Sequence, residues 1–310
     1  MSLDTDLVEK VPCPLCAQDT YDVIRPARYP QGVTREELLK LYSSSSDHAL
    51  MDQLVRCSSC SLVYLNPRIK ASIIMDSYAS AVDPVFFEQN AMRIKTFDRA
   101  LRRVLKKWSI TPQSSHRILD IGCAGGAFLK AAADLGFSGV GVEPSAWLCE
   151  QGKILYGLDL RPGDLTRHVF LPESFFMVTL WDVLEHLTQP GDILDRAHGL
   201  LSNDGYLIVN LPNYNSLVSR LLGSHWPFLL NVHLTYFTPK TLGLMLKQHG
   251  FQMMSVTPFF QTLELGYVLK RAANIWRPLA VLQKLVDGLG IGRWPFNYNM
   301  GQMTVVARKV

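Results

Sequence analysis

Short apolar runs alternate with stretches of helical periodicity along the chain from residue 117 onward. Strands are predicted at 117–121, 139–143, 175–181 and 206–211, and helices between them at 126–135, 146–156 and 193–201. Such alternation predicts a parallel sheet covered by helices on both faces, an α/β doubly wound fold. A further helix is predicted to begin at Thr238-Pro239, with strands following at 251–257 and 302–308.

Residues 1–70 differ in character, because they carry two C-x-x-C pairs, Cys13/Cys16 and Cys57/Cys60. Each pair places two thiols on one turn, and two such turns complete the tetrahedral S4 set that zinc prefers. Disulfides or one redox-active pair are the alternatives, although nothing indicates export or a thioredoxin turn. We predict a zinc-ribbon-like module whose four cysteines hold one structural Zn2+, with a short helix at 34–39.

Two further segments complete the predicted organisation. Residues 71–114 form a helical connector, with a helix at about 91–108 whose many Lys and Arg side chains suit an acidic partner or, more simply, solvent. Residues 115–310 form the main domain. Within it, residues 263–298 are long for an insertion before a last strand, and they mix apolar with basic residues. A lid or a homodimer interface is favoured there over an amphipathic helix lying on a membrane.

Length, composition and net charge exclude several classes of protein. The chain has 310 residues, 48% of them hydrophobic and 19% charged, which indicates a sizeable core and favours two domains. The net charge of +4 is weak and spread out, so nucleic acid is not an expected partner. No uncharged apolar run reaches the roughly 20 residues of a membrane-spanning helix. The acidic opening lacks an apolar signal region, so a cytoplasmic location is expected.

A glycine-rich turn follows the strand at 117–121, in the stretch LDIGCAGG. Its glycines allow close approach of a ligand, and the next helix offers free N–H groups at its N-terminus. Glu143 ends the following strand, where a carboxylate can accept both hydroxyls of an adenosine ribose. Asp120 would repel a pyrophosphate but suits the cationic amino acid end of S-adenosylmethionine, and a dehydrogenase would carry Gly at the position of Ala124. A tight turn without a ligand is the remaining alternative.

Five stretches carry a family resemblance: LDIGCAGG, GVEPS, GDL, WDVLEHL and HLTYFTPKTLGLMLKQHGF. Over roughly two thirds of its length the chain resembles class I S-adenosylmethionine-dependent methyltransferases. The resemblance implies a mostly parallel sheet whose antiparallel last strand lies beyond the sixth. It also implies a cofactor site made by Asp120, Gly122, Ala124 and Gly126 at the methionine part, Glu143 at the ribose, Asp164 and Leu165 at the adenine, and Asp182 beside them. The cysteine module resembles that of bacterial methyltransferases acting on sugars, polysaccharides and secondary metabolites.

The candidate catalytic residues lie where the fourth and fifth strands end. His186 is the first choice for a base, because imidazole titrates near neutral pH, with a packing or capping role as the alternative. We expect Asp182, Glu185 and His186 to share one helical turn. This trio resembles a divalent-cation cluster of ubiquinone-biosynthesis O-methyltransferases, although helix capping is favoured over metal binding. His233 and Tyr236 form a second candidate pair, catalytic or anchoring, on a loop after the fifth strand.

The predicted function is S-adenosylmethionine-dependent O- or C-methylation of a small-molecule acceptor, a sugar or related metabolite that is free or lipid-linked. One alternative is an RNA methyltransferase that binds RNA through its zinc module. This alternative predicts basic residues clustered on the module, whereas residues 1–70 carry both signs in mixture. Others are a non-enzymatic zinc-ribbon interaction protein and a nucleotide-sugar dehydrogenase that binds NAD.

Overall fold

The computed structural model describes residues 7–29, 34, 50–74, 87–275 and 278–310. Most of the helix predicted at 34–39 lies outside the described residues, as do parts of the predicted module, connector and insertion. The strands are β1 Val8–Glu9, β2 Tyr21–Arg25, β3 Leu54–Cys57, β4 Val63–Leu65, β5 Arg68–Ile69, β6 Arg117–Ile121, β7 Ser138–Glu143, β8 Asp159–Pro162, β9 Phe175–Trp181, β10 Leu201–Pro212, β11 Thr235–Tyr236, β12 Phe251–Pro258, β13 Gln261–Glu264, β14 Pro295–Tyr298 and β15 Gln302–Lys309. The helices are α1 Asn90–Trp108, α2 Ala127–Asp134, α3 Ala146–Tyr156, α4 Pro190–Leu200, α5 Leu217–Leu222, α6 Pro239–Gln248, α7 Leu265–Ile275 and α8 Leu279–Gly288.

The central sheet has seven strands in the order β12-β15-β10-β9-β6-β7-β8. Strands β8, β7, β6, β9 and β10 run parallel, which confirms the predicted doubly wound α/β fold. The last strand, β15, is antiparallel to both of its neighbours, β10 and β12. It therefore lies between the fifth and sixth strands, and the prediction that it lies beyond the sixth is wrong.

Side-chain patterns explain this strand order. Strand β15 is buried along most of its length, with Val305 and Ala307 at 0% exposure, as expected for a strand covered on both faces. Strand β12 is buried only at Phe251 and otherwise carries half-buried or exposed side chains, which suits an edge. The helix predicted at 193–201 begins earlier, at Pro190, because proline fits the first helical turn, and Leu201 already belongs to β10.

The cysteine module packs against the central sheet. Its strands form a second sheet, β11-β4-β3-β2, in which β11 comes from the loop after β10 and pairs with β4 through Thr235 and Tyr64. The Leu65 N–H donates to the Leu234 carbonyl at 3.0 Å. Side chains of the module, Val55 and Leu62 among them, belong to the same buried cluster as the central strands. One continuous core thus joins the two sheets, while the boundary near residue 70 stays a prediction.

Helix α1 confirms the helix predicted at 91–108 and lies over the side of the sheet that carries α2. Phe97 on α1 meets Phe128 on α2 edge to face, with ring centroids 5.7 Å apart. At the two ends of the predicted insertion, β13 and β14 pair as a two-stranded antiparallel sheet, and between them α7 packs on α8. This small sheet is tied to α1, because the Thr262 N–H donates to the Thr96 hydroxyl at 2.7 Å. Among the described residues, no helix combines the length and apolarity that crossing a membrane requires.

Candidate active site

The turn after β6 requires glycine at two positions. Gly122 has φ +69°, and a Cβ there would lie 2.5 Å from Cγ2 of Val183. Gly126 has φ +76°, and its Cβ would lie 2.7 Å from Cδ1 of Leu158. Ala124 also lies in the left-handed region, at φ +46°, a conformation that costs an L-residue about 1–2 kcal/mol. Its N–H donates to Oε2 of Glu143 at 3.0 Å, so the turn is held to the end of β7.

Two carboxylates flank this turn with little access to solvent. Asp120, 2% exposed, accepts a hydrogen bond from the Thr179 hydroxyl at 2.6 Å. Glu143, 8% exposed, accepts at Oε1 from the Ser145 N–H at 2.9 Å. Burial raises the pKa of Asp120 to about 8 and also raises the pKa of Glu143. Among the described residues neither makes an ion pair, so a cationic ligand with hydroxyl groups would stabilise both.

Asp164 stands after β8, and its Oδ1 accepts the Thr166 N–H at 2.8 Å. Burial acts to raise the pKa of Asp164, but the hydrogen bonds from Thr166, together with the backbone hydrogen bond and the charge of Arg167, outweigh it and lower that pKa. Leu165 beside it is buried. Strands β6, β7 and β8 are adjacent and parallel, so Asp120, Glu143 and Asp164 belong to three neighbouring strand ends at one sheet edge. Ligands of open α/β sheets bind at this edge.

Asp182 follows β9 in a left-handed conformation, at φ +55°. Its Oδ1 accepts from Nδ2 of Asn210 at 2.9 Å and from Nε2 of Gln302 at 2.7 Å. Burial raises the pKa of Asp182 to about 6, against the opposing charge of Arg93. A small cavity of about 20 Å³ beside Asp182 is bounded by α1 and β13. Sequence reasoning missed Asn210 and Gln302; the available signal was that Asn210 interrupts the apolar run of residues 206–212 and that Gln302 begins a strand whose next residues are largely apolar.

A second cluster unites Glu185, His186 and His233. One potential ligand atom from each lies within 4.8 Å of the others. Nδ1 of His186 lies 2.9 Å from the Val232 carbonyl, and Nδ1 of His233 lies 2.8 Å from the Phe228 carbonyl. A carbonyl can only accept, so each Nδ1 carries a proton and each neutral ring keeps its lone pair on Nε2.

The electrostatics of this cluster follow from burial. Burial lowers the pKa of His186 to about 4 and lowers the pKa of His233 well below its usual value. Both carboxylate oxygens of Glu185, 2% exposed, lack a hydrogen-bond partner among the described residues. Burial, together with the charge of Asp182, raises the pKa of Glu185 well above its usual value. Two neutral imidazoles oriented by carbonyls, with a carboxylate beside them, are a donor set suited to a divalent cation.

The structure separates two residues from the predicted groupings. Residues 184–186 form a short 3-10 helix that does not include Asp182. The Asp182 side chain accepts a hydrogen bond from Asn210, whereas Glu185 and His186 lie beside His233. The prediction that all three share one helical face is therefore wrong for Asp182. Tyr236 lies on β11 and its hydroxyl donates to the Leu230 carbonyl at 3.0 Å. Burial raises the pKa of Tyr236, and this contact favours an anchoring role.

The four N-terminal cysteines form a separate cluster. All are free thiols, with Sγ of Cys13 3.5 Å from Sγ of Cys60 and Sγ of Cys16 3.4 Å from Sγ of Cys57. A tetrahedral ZnS4 centre with Zn–S bonds of about 2.3 Å separates its sulfurs by about 3.8 Å. Each pair is followed by a left-handed residue, Ala17 or Ser61, whose N–H donates to the carbonyl of the first cysteine. Two equivalent turns therefore present a donor set that fits zinc.

Residues 91–256 match the family model described as a methyltransferase domain. The match covers more than half of the chain and includes the glycine turn and the ends of β6 to β10. The chain belongs to this methyltransferase family. The family resemblance drawn from the motifs is thereby confirmed, together with the class I fold.

Similar proteins add detail about the family. A mitochondrial ubiquinone biosynthesis O-methyltransferase of Schizosaccharomyces pombe is 33% identical over 116 residues, which are 35% of this chain and 42% of that protein. A ubiquinone biosynthesis O-methyltransferase of Rhodopseudomonas palustris is 28% identical over 180 residues, covering 54% and 68%. A methyltransferase structure from Thermotoga maritima, described as a possible histamine N-methyltransferase, aligns with a TM-score of 0.49 at 17% identity, covering 73% and 93%. The chain thus spans less than half of the first relative.

Proposed function

We propose that this chain transfers a methyl group from S-adenosylmethionine to a small-molecule acceptor, with an oxygen atom as the acceptor favoured by its relatives. The observation that carries the proposal is the set of buried carboxylates Asp120 and Glu143 around the turn at Gly122. Neither has a cationic partner among the described residues, and S-adenosylmethionine carries both a sulfonium and an ammonium group. The residues present therefore fit this cofactor.

Each residue has a role that its position supports. When bound, S-adenosylmethionine supplies an electrophilic methyl group on sulfur. Asp120 and the turn from Gly122 to Gly126 would hold its methionine part, and Glu143 would accept the ribose hydroxyls while retaining the bonds from Ala124 and Ser145. Asp164 would accept the adenine amine, with Leu165 beside the ring. Asp182, held by Asn210 and Gln302, would complete the site beside β13.

Methylation of a hydroxyl also requires removal of its proton. We assign this step to Nε2 of His186, because its ring is neutral and oriented by the Val232 carbonyl. Glu185 lies 4.0 Å from this nitrogen and would stabilise the imidazolium that forms. His233, whose ring packs edge to face on that of His186, would take part in the same proton transfer. The Tyr236 hydroxyl would instead anchor the loop after β10.

Finer points of the function are also part of the proposal. We propose a sugar or related metabolite as the acceptor and one Zn2+ bound by Cys13, Cys16, Cys57 and Cys60 as a structural element. A cytoplasmic location and a homodimeric contact through residues 263–298 stay predictions.

The test is a thermal melt of the full chain with S-adenosylmethionine, S-adenosylhomocysteine and NAD. A ligand that binds the native state must raise the melting temperature. We expect both adenosyl ligands to do so in the wild type and in Glu150→Gln, which alters an exposed carboxylate on α3, but not in Glu143→Gln. A rise in the melting temperature with NAD alone would support the dehydrogenase hypothesis instead. No rise with any of the three ligands would favour a non-enzymatic interaction protein.

A further inference from the structure

A cleft of about 710 Å³ opens between the cysteine module and the region that follows β10. One wall is the face of the module sheet that carries Arg25 and Arg56, opposite to the face that holds Cys57 and packs into the core. The other wall contains Tyr214, Arg220 on α5 and Lys240 in the first turn of α6. This volume is in the range of pockets that take drug-sized ligands.

The described residues that line the cleft carry charge of one sign. Its cationic lining residues are Arg25, Arg28, Arg56, Arg220 and Lys240, and among the described residues that line it there is no Asp or Glu. Within the described part of the chain, none of these cations makes an ion pair with a carboxylate. Asp22 is the cross-strand partner of Arg56 and lies on the same face of the module sheet, but it is not among the residues that line the cleft. Like charges gathered in a concave surface repel one another, so an anion bound there is stabilised.

Folding creates this concentration of charge. Along the chain, residues 1–70 carry both signs in mixture, and Arg220 and Lys240 lie far from them in sequence. The pairing of β11 with β4 brings the two groups together. Arg25 and Arg56 are close enough to Tyr214 to act against the rise that burial causes in its pKa.

The donors of the cleft indicate what kind of anion it takes. Guanidinium groups bind the oxygens of phosphate in a bidentate manner, and several arginines suit a group with more than one charge. Hydroxyls of Ser61, Ser224 and Thr238 line the same space, as does the half-buried ring of Tyr214, on which a sugar or base can stack.

The cleft begins near the proposed active site. Tyr214 lies two residues beyond Pro212, the last residue of β10, so its Cα is within about 7 Å of that strand end. Asn210 of the same strand holds Asp182. We propose that the cleft binds the phosphate or diphosphate group of the methyl acceptor, so that the acceptor is a phosphate ester whose reacting end extends along the carboxyl edge of the sheet. This inference rests on the proposed function.

The experiment is isothermal titration calorimetry of the full chain with inorganic pyrophosphate and with uridine diphosphate. The test variant, Arg25→Gln/Lys240→Gln, removes one cation from each wall. The control, Arg103→Gln/Lys106→Gln, removes two exposed cations from α1. Wild type and control are expected to bind both probes, and the test variant at least about tenfold more weakly. Arg28→Gln/Arg220→Gln replaces the test variant if that fails to fold.

Three outcomes would overturn the proposal: no binding by the wild type, an equal loss in the control, or binding of poly(U) or phosphatidylglycerol vesicles through the same cations without binding of pyrophosphate. The first two show that the cleft is not an anion site, and the third assigns it to RNA or a lipid surface. A melt with S-adenosylhomocysteine on the same samples keeps the two proposals distinguishable. If pyrophosphate binds but S-adenosylhomocysteine does not change the melting temperature, the proposed function and the assignment of the methyl acceptor are overturned. The anion site would stand in that case.

Discussion

Asp120 provides a test of the candidate site that requires no substrate. Its folded pKa of about 8 lies above its ordinary 3.8, so between these values the unfolded chain releases a proton that the folded chain keeps. The contribution of Asp120 to the stability of the wild type must therefore fall as the pH rises through this window. At about 1.4 kcal/mol for each pKa unit, the penalty is about 2 kcal/mol at pH 5 and about 5 kcal/mol at pH 8. Asp120→Asn removes this titration and can still accept the Thr179 hydrogen bond.

The assay is urea unfolding of both proteins at pH 5, 6.5 and 8, without cofactor. We expect the advantage of Asp120→Asn over the wild type to grow by about 3–4 kcal/mol between pH 5 and 8. Asp134→Asn is the matched control, because Asp134 forms an exposed ion pair with Lys130, and its effect is expected to stay within about 1 kcal/mol at every pH. A difference between Asp120→Asn and wild type that stays flat or shrinks with pH would refute the reasoning. The same variant is expected to lose the melting shift with S-adenosylmethionine.

Three other perturbations test separate parts of the molecule. Cys16→Ser is expected to lose the zinc that elemental analysis finds in the wild type and in Cys149→Ser; equal metal content in all three would contradict the S4 site. Gly122→Ala should destabilise the chain by about 2–4 kcal/mol in urea unfolding, from its left-handed φ and the overlap with Val183; a native-like midpoint would count against this turn. Because Nε2 of His186 is assigned as the base, calorimetry of the wild type is expected to show no binding of Mn2+; binding that Glu185→Gln weakens about tenfold would assign this cluster to a cation and overturn the role of His186.

The strand and helix pattern could be predicted from the sequence because it depends on local periodicity. The carboxylates Asp120 and Glu143 could be assigned to one site because parallel strands end at a common edge. Asn210 and Gln302 could not, since they come from a parallel and an antiparallel strand whose adjacency depends on the placement of β15. A polar residue in an apolar run indicates a buried hydrogen bond but does not name its partner.

The loop after β10 shows the same limit at the site. His233 and Tyr236 are close in sequence, which predicts that they act as a pair, yet His233 lies with Glu185 and His186 whereas the Tyr236 hydroxyl donates to the Leu230 carbonyl. The pairing of β11 with β4 separates their roles, because it fixes the direction of each side chain relative to the cysteine module.

Periodicity, glycine spacing and cysteine spacing are local properties of the chain, and they were enough to predict the fold class, the glycine turn after β6 and the cluster of four cysteines. Tertiary structure alone decided the position of β15, the partners of Asp182, the union of His186 with His233 and the gathering of Arg25 with Lys240 in one cleft. These juxtapositions depend on which buried surfaces pack together over long sequence separations. That choice is made by the free energy of the whole core, and no single segment encodes it.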